Sequence, residues 1–122
     1  MIATKFERAN PVLRVANLER AVHYYVEVLG FINASWGGAD FTCVTRDEAS
    51  IYLSEGDQGH PGTWVWIGVE DVRALYDEYQ RAGARILTPP ENFPWACEMK
   101  IGDLDAHVLR FGSDPDEASA AQ

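Results

Sequence analysis

The chain is poor in the residues that carry covalent or metal chemistry. Its 122 residues include two cysteines and three histidines. Cys43 and Cys97 form no Cys-x-x-Cys pair, and in a reducing compartment both read as buried, inert thiols. His23 falls on the polar side of a helical pattern, His60 in a linker, and His107 beside a turn, where hydrogen bonding is the expected role. No Ser-His-Asp or Cys-His spacing suggests a nucleophile. Positive charge is also scarce. Ten Lys and Arg face nineteen Asp and Glu, for a net charge of −9, which argues against nucleic acid as a partner, because phosphates need a basic surface. No run approaches 18 apolar residues, so no membrane span is expected. Met1 to Asn10 carries charges rather than an apolar run and does not read as a signal peptide, and the expected location is cytoplasmic. A chain of this length supports one domain, 1–122, with its own core.

What the sequence does contain is an internal repeat. Asn17 and Asp71 are 54 positions apart, as are Tyr25 and Tyr79. Each pair sits at the same place in a helical pattern. A period near 50 in so short a chain means two copies of one supersecondary unit. The modules span about 10–55 and 63–113. They are joined by a Gly- and Pro-containing linker, 55–62, and followed by an acidic tail, 114–122, expected to be mobile.

Val12 to Val15 reads as a short strand after Asn10-Pro11. Asn17 is a good N-cap, and Leu18, Ala21, Val22, Tyr25 and Leu29 follow the spacing of an amphipathic helix ended by Gly30. Phe31 to Trp36, Phe41 to Arg46 and Ala49 to Ser54 read as strands, separated at Gly37-Gly38 and Asp47-Glu48. The second module repeats the order. Trp64 to Val69 is a strand, Asp71 caps a helix ended by Gly83, and Arg85 to Leu87 is a short strand. Thr88 to Pro94 reads as a loop because it holds three prolines. Trp95 to Ile101 and His107 to Phe111 close the module around a turn at Asp103 to Ala106. Alternation places Val65, Ile67 and Val69 beneath a helix, and Trp64, Trp66 and Gly68 on the opposite face. Ile51 and Leu53 likewise oppose Tyr52, and Leu109 and Phe111 oppose Arg110. The predicted fold class is α+β: two βαβββ modules forming a curved, trough-like mixed sheet with a polar, aromatic face away from the helices.

The stretch Leu13-Arg14-Val15-x-Asn17-Leu18-Glu19-Arg20-Ala21-Val22-x-Tyr24-Tyr25, ending in Val28-Leu29-Gly30-Phe31, resembles the opening module of the vicinal oxygen chelate superfamily. That group contains glyoxalase I, extradiol dioxygenases, fosfomycin-resistance transferases and the bleomycin resistance proteins. The likeness covers roughly residues 10 to 113. It extends to the closing turn Asp103-Leu104-Asp105-Ala106-His107. Metal-binding members would place their ligands at Asn10, Tyr52, Trp64 and Arg110. None is a usual donor, and tryptophan and arginine have no acceptor lone pair to give. No metal and no other cofactor is expected.

The bleomycin resistance branch looks most similar, over Asn10-Pro11-Val12-Leu13, Asp40-Phe41, Thr63-Trp64-Val65-Trp66-Ile67 and Phe93-Pro94-Trp95 with Glu98. The resemblance implies a homodimer that sequesters a planar, cationic antibiotic of the bleomycin type in clefts between subunits, with the N-terminal strand exchanged around Pro11. Phe41 and Trp95, also 54 apart, would stack on the ligand. Trp64, Trp66 and Tyr52 would line the cleft, and Asp40, Glu55 or Asp57 would meet a cationic tail. Arg14, Lys100 and Arg110 share the parity of the trough face, where Glu98 would neutralise charge. They would otherwise hold an anionic group. The alternative function is a metal-dependent lyase, isomerase or dioxygenase of the same superfamily.

Overall fold

Asn17 and Asp71 do what their spacing predicts. Both adopt extended backbone, and their side chains accept from the first-turn amides, Asn17 from Arg20 N and Asp71 from Arg73 N and Ala74 N. That satisfies donors the helix itself leaves unpaired. In this computed structural model, which describes residues 3–116, the helices they begin are α1, Leu18–His23, and α2, Val72–Ala82. Gly30 and Gly83 both take positive φ, 80° and 79°, where the chain turns out of each helix, a conformation that costs glycine little.

The strands are β1 (Val12–Arg14), β2 (Ile32–Asn33), β3 (Phe41–Arg46), β4 (Ala49–Ser54), β5 (Trp64–Gly68), β6 (Arg85–Asn92), β7 (Cys97–Gly102) and β8 (Val108–Ser113). They form two four-stranded sheets, β1-β4-β3-β2 and β5-β8-β7-β6. In each, the first strand lies parallel to the last of its module and the other pairings are antiparallel. The two βαβββ modules are therefore present, each with its own open sheet.

Both helices and the inner faces of both sheets share one core. Leu13, Val44, Ile51 and Leu53 from the first sheet belong to the same buried cluster as Met99, Ile101, Leu109 and Phe111 from the second. Each helix sends a tyrosine across. Tyr25 donates to Asp103 Oδ2 at 2.8 Å, and Tyr79 donates to the Leu29 carbonyl at 2.8 Å. Burial holds both phenols above the ordinary tyrosine range, so they remain protonated donors. Because the inner faces meet the same helices, the outer faces of the sheets point away from one another.

The modules are clamped unequally. The turn between β7 and β8 is long. Its Asp105 carboxylate accepts from Ala16 N, and buried His107 bridges Thr63 and Arg14. The Thr63 amide donates to His107 Nδ1, so Nε2 carries the proton and donates to the Arg14 carbonyl at 2.6 Å. The turn between β3 and β4 has two residues. There the modules are joined by the Arg46–Glu78 ion pair at 2.7 Å beside an open cleft of about 1300 Å³.

Three local features differ from the sequence reading. The first helix widens after His23 into a π-helical turn, Tyr24–Val28, which buries two consecutive tyrosines. Tyr24, absent from the amphipathic stripe, donates to the Gly102 carbonyl and accepts from Arg85 N. The strand expected over Phe31 to Trp36 shrinks to Ile32–Asn33. The proline-rich stretch expected to be a loop is strand β6 as far as Asn92, with two register shifts. Prolines are tolerated there because β6 is an edge strand and its ladder with β7 is interrupted between Thr88 and Glu91, where Pro89 and Pro90 stand. At the C-terminus, Asp116 bonds Asn92 and Arg73. The rest of the predicted mobile tail, 117–122, lies outside the described residues.

The tyrosine crossings are separable by mutation. Tyr25→Phe strips a buried carboxylate oxygen of its donor and should cost about 1–3 kcal/mol. Tyr79→Phe should cost less, about 0.5–1.5 kcal/mol, because Arg46 Nη1 still donates to the Leu29 carbonyl. Urea denaturation of the two variants measures the difference.

Candidate ligand-binding site

The outer faces of the sheets carry the aromatic residues, and they form two distinct walls. On the first sheet, Trp36, Phe41 and Tyr52 make a cluster. Phe41 lies 5.4 Å from Tyr52 and 6.3 Å from Trp36, centroid to centroid, both in stacked geometry. Cross-strand register sets this up: Phe41 opposes Ser54 and Cys43 opposes Tyr52, so all point to one side. Trp36 was not among the predicted site residues. It reaches the cluster because Gly38 N bonds the Phe41 carbonyl and folds the 34–41 turn back, a contact with no signature in sequence periodicity.

The second wall holds Trp64, Trp66, Arg110, Glu98 and Lys100. Its organising group is Glu98, 6% exposed. Glu98 Oε2 accepts from Trp66 Nε1 at 2.9 Å. Oε1 accepts from Arg110 at 2.6 and 3.1 Å and from Trp95 Nε1 at a long 3.5 Å. Burial alone would raise this carboxyl's pKa. The bonds from Trp66, Arg110 and Trp95, with the charge of Arg110, more than offset that and leave it below the ordinary glutamate value. Trp66 is also seated on glycine. A Cβ on Gly112 would lie 2.8 Å from its ring and one on Gly68 3.2 Å from it, so the indole rests directly on backbone.

Trp95 precedes β7 in the turn closed by Phe93 N and the Ala96 carbonyl. Its ring stacks on Phe93 at 4.8 Å and 8° yet remains 64% exposed. One face of Trp95 is therefore occupied and the other open. The Lys100 ammonium sits 5.3 Å from the centre of the Trp64 ring, a cation–π arrangement.

The structure brings Trp64, Trp66, Trp95, Glu98 and Arg110 onto one wall, and Phe41 and Tyr52 onto the other. Arg14 lies in register with Ser54 on the Tyr52 face of β1, and one of its terminal nitrogens donates to the Asp57 carbonyl. Asp40 is exposed, ahead of β3. Glu55 is spent on capping, accepting from Leu18 N. Among the described residues no ring contact joins Phe41 to Trp95 within one chain.

Phe41 and Trp95, 54 apart in sequence, do not occupy equivalent positions in the two modules. Val15 N bonds the Ser54 carbonyl and Val69 N bonds that of Gly112, so Ser54 and Gly112, 58 apart, are equivalent. Phe41 opposes Ser54 and Glu98 opposes Gly112. The twofold counterpart of Phe41 is thus Glu98, 57 positions on. Extra residues around β6 shift the register, and Trp95 stands outside the repeat.

The metal associated with other members of the resembled superfamily does not fit these residues. Arg110 is ion-paired to Glu98 and the Trp64 face is covered by an ammonium group. Neither side chain has a lone pair to donate. Among the described residues no three His, Cys, Asp or Glu side chains gather into a metal-binding group.

Glu98 makes this wall sensitive to pH. Its folded-state pKa is depressed, so its contribution is complete above the unfolded value of about 4.3 and fades as pH falls through the folded value. The Trp66 indole N–H resonance should lie downfield at pH 7 and move upfield in acid. Gly112→Ala should move it upfield at neutral pH by lifting the ring off its seat. Proton–nitrogen correlation spectra read both.

A model of the glyoxalase/bleomycin resistance protein/dioxygenase superfamily matches residues 8–118. No curated protein matches the sequence. Among solved structures, the bleomycin-binding protein from bleomycin-producing Streptomyces verticillus, complexed with copper(II)-bleomycin, is similar at 27% identity. The match covers 91% of this chain and 98% of that one, with a TM-score of 0.77. A glyoxalase/bleomycin resistance protein from Streptomyces sp. CB03234 is 25% identical over 88% and 100% of the two chains, with a TM-score of 0.74. TnmS3, an antibiotic binding protein from the same source, shares the fold at 21% identity, with coverage of 92% and 99% and a TM-score of 0.78. With its two βαβββ modules, its outward aromatic walls and a family match over nearly its whole length, the chain belongs to the glyoxalase/bleomycin resistance protein/dioxygenase superfamily.

Proposed function

We propose that the protein is a metal-free binding protein that sequesters a planar aromatic molecule of the antibiotic type, without altering it, in clefts between two copies of the chain. The observation that carries this reading is the exposure of ordered indoles. Trp64, Trp66 and Trp95 are each more than half exposed, yet Trp66 is fixed by Glu98 and by backbone glycine, and Trp95 by its stack on Phe93. Large apolar rings held still in water are binding surfaces.

A homodimer supplies the missing half of each cleft. The first wall of one copy faces the second wall of the other, and a flat ring lies between the Phe41 cluster and the open face of Trp95. Residues 3–9 are exposed and carry Phe6 at 93% exposure. This segment, ahead of Pro11, is the one exchanged between subunits. The similarity to a bleomycin-binding protein at 27% identity supports the ligand class. No described helix is long and apolar enough to cross a membrane.

The test is a titration of planar aromatic probes, metal-free bleomycin and anthraquinone-2-sulfonate, into the protein while following tryptophan fluorescence. Saturable quenching by at least one probe, at one ligand per subunit, is expected. Trp95→Ala should weaken it at least tenfold, about 1.4 kcal/mol, with an unchanged circular dichroism spectrum. The absence of saturable quenching by either probe overturns the reading. Sedimentation equilibrium should give twice the chain mass, and a monomer at micromolar concentration would remove the shared cleft.

A further inference from the structure

The walls invert the charge of the molecule. The chain has nineteen acidic and ten basic residues, and a random sample of its surface would be acidic. The outer faces of the sheets are not. On the first, Arg14 shares its face with Val12, Tyr52, Ser54, Phe41 and Cys43, with no carboxylate in register. On the second lie Lys100 and Arg110, and Arg85 opposite Gly102. The carboxylates on that face are Glu98 and, opposite it on the edge strand, Glu91. Four cations thus share the two walls with two carboxylates.

Glu98 has nothing left to offer a ligand. Both its oxygens are engaged by Arg110 and the indoles, and it is buried. It cancels Arg110 and no more. Arg85 is turned to the Asp103 carbonyl and Arg14 to the Asp57 carbonyl. Among the described residues Lys100 has no carboxylate partner, and its ammonium lies over Trp64. A cation arriving on the indoles would meet Lys100, and the one carboxylate of this face not already engaged, Glu91, stands on the edge strand β6, separated by two strands from β5 and Trp64. An anion beside a flat ring would pair with Lys100 while the ring lay on the indoles.

Building on the reading of these faces as ligand-binding walls, we infer that the ligand is a planar aromatic molecule bearing an acidic group, a carboxylate, sulfonate or ionised phenol, which pairs with Lys100. The excess negative charge elsewhere repels such a molecule from the rest of the surface, so the walls are the place where it gains both stacking and charge.

Matched probes separate ring from charge. Anthracene-9-carboxylate and 9-(aminomethyl)anthracene carry the same ring with opposite charge at pH 7, and their affinities follow from quenching of tryptophan fluorescence. The anion should bind at least tenfold more tightly, with an advantage that shrinks as salt rises from 50 to 500 mM. Lys100→Gln should remove most of that advantage, and Lys100→Glu should turn the preference toward the amine. Equal affinity for both probes, or an anion preference untouched by both variants, overturns the inference while leaving aromatic binding in place. Failure of both probes to bind overturns the inference and removes aromatic binding by these walls with it.

Discussion

The arrangement that governs the rest is the reciprocal crossing of two tyrosines. Tyr25 and Tyr79 occupy the same place in their helices, and each donates its hydroxyl to the other module. A phenol that reaches a buried acceptor ties packing to hydrogen-bond satisfaction, since an unpaired partner in an apolar interior is expensive. The helices are thus fixed between the sheets, and the inner faces of both sheets are consumed by one core. The outer faces have no helix left to cover them. Their aromatic residues stand in water as a consequence of where the tyrosines point.

Much of this was legible in the sequence because it depends on short-range rules. The caps at Asn17 and Asp71, the glycine stops at Gly30 and Gly83, and the alternation that sends Trp64 and Trp66 one way and Val65 and Ile67 the other are local. The structure reproduces them. What was not legible depends on contacts between distant segments. The π-helical turn at Tyr24 is selected by a donor 61 residues away, the Arg85 amide, and an acceptor 78 residues away, the Gly102 carbonyl. The β6 strand looks like a loop until it is seen to lie at a sheet edge, where prolines do no harm. Trp36 joins Phe41 and Tyr52 through a turn whose geometry no hydrophobic pattern encodes.

The repeat was readable and also misleading. A spacing of 54 holds from the N-caps to Tyr25 and Tyr79, but it is 53 at the glycine stops after the π-helical turn, and the strands that follow drift to 57 and 58 because residues were added around β6 and in the turn before His107. Composition is a coarser guide than placement. A net charge of −9 describes the whole chain and does not say which charges stand on which face. Glu98 illustrates the point: as letters it is another acid on the trough face, but in the fold it is a buried acceptor whose capacity is spent on Arg110 and two indoles.

The divergence of the two walls gives the site a direction. Where the first sheet presents three rings grouped around Phe41, the second presents indoles pinned to a carboxylate, with a lysine above them. Phe93 also closes one side of Trp95. A flat molecule held between such surfaces meets different chemistry above and below, even if the molecule is itself symmetric. A molecule whose two faces differ could be turned over only by exchanging a charged neighbour for an aromatic one. Duplication made two similar sheets, and their unequal decoration would make the slot of the proposed dimer a seat with a distinct top and bottom.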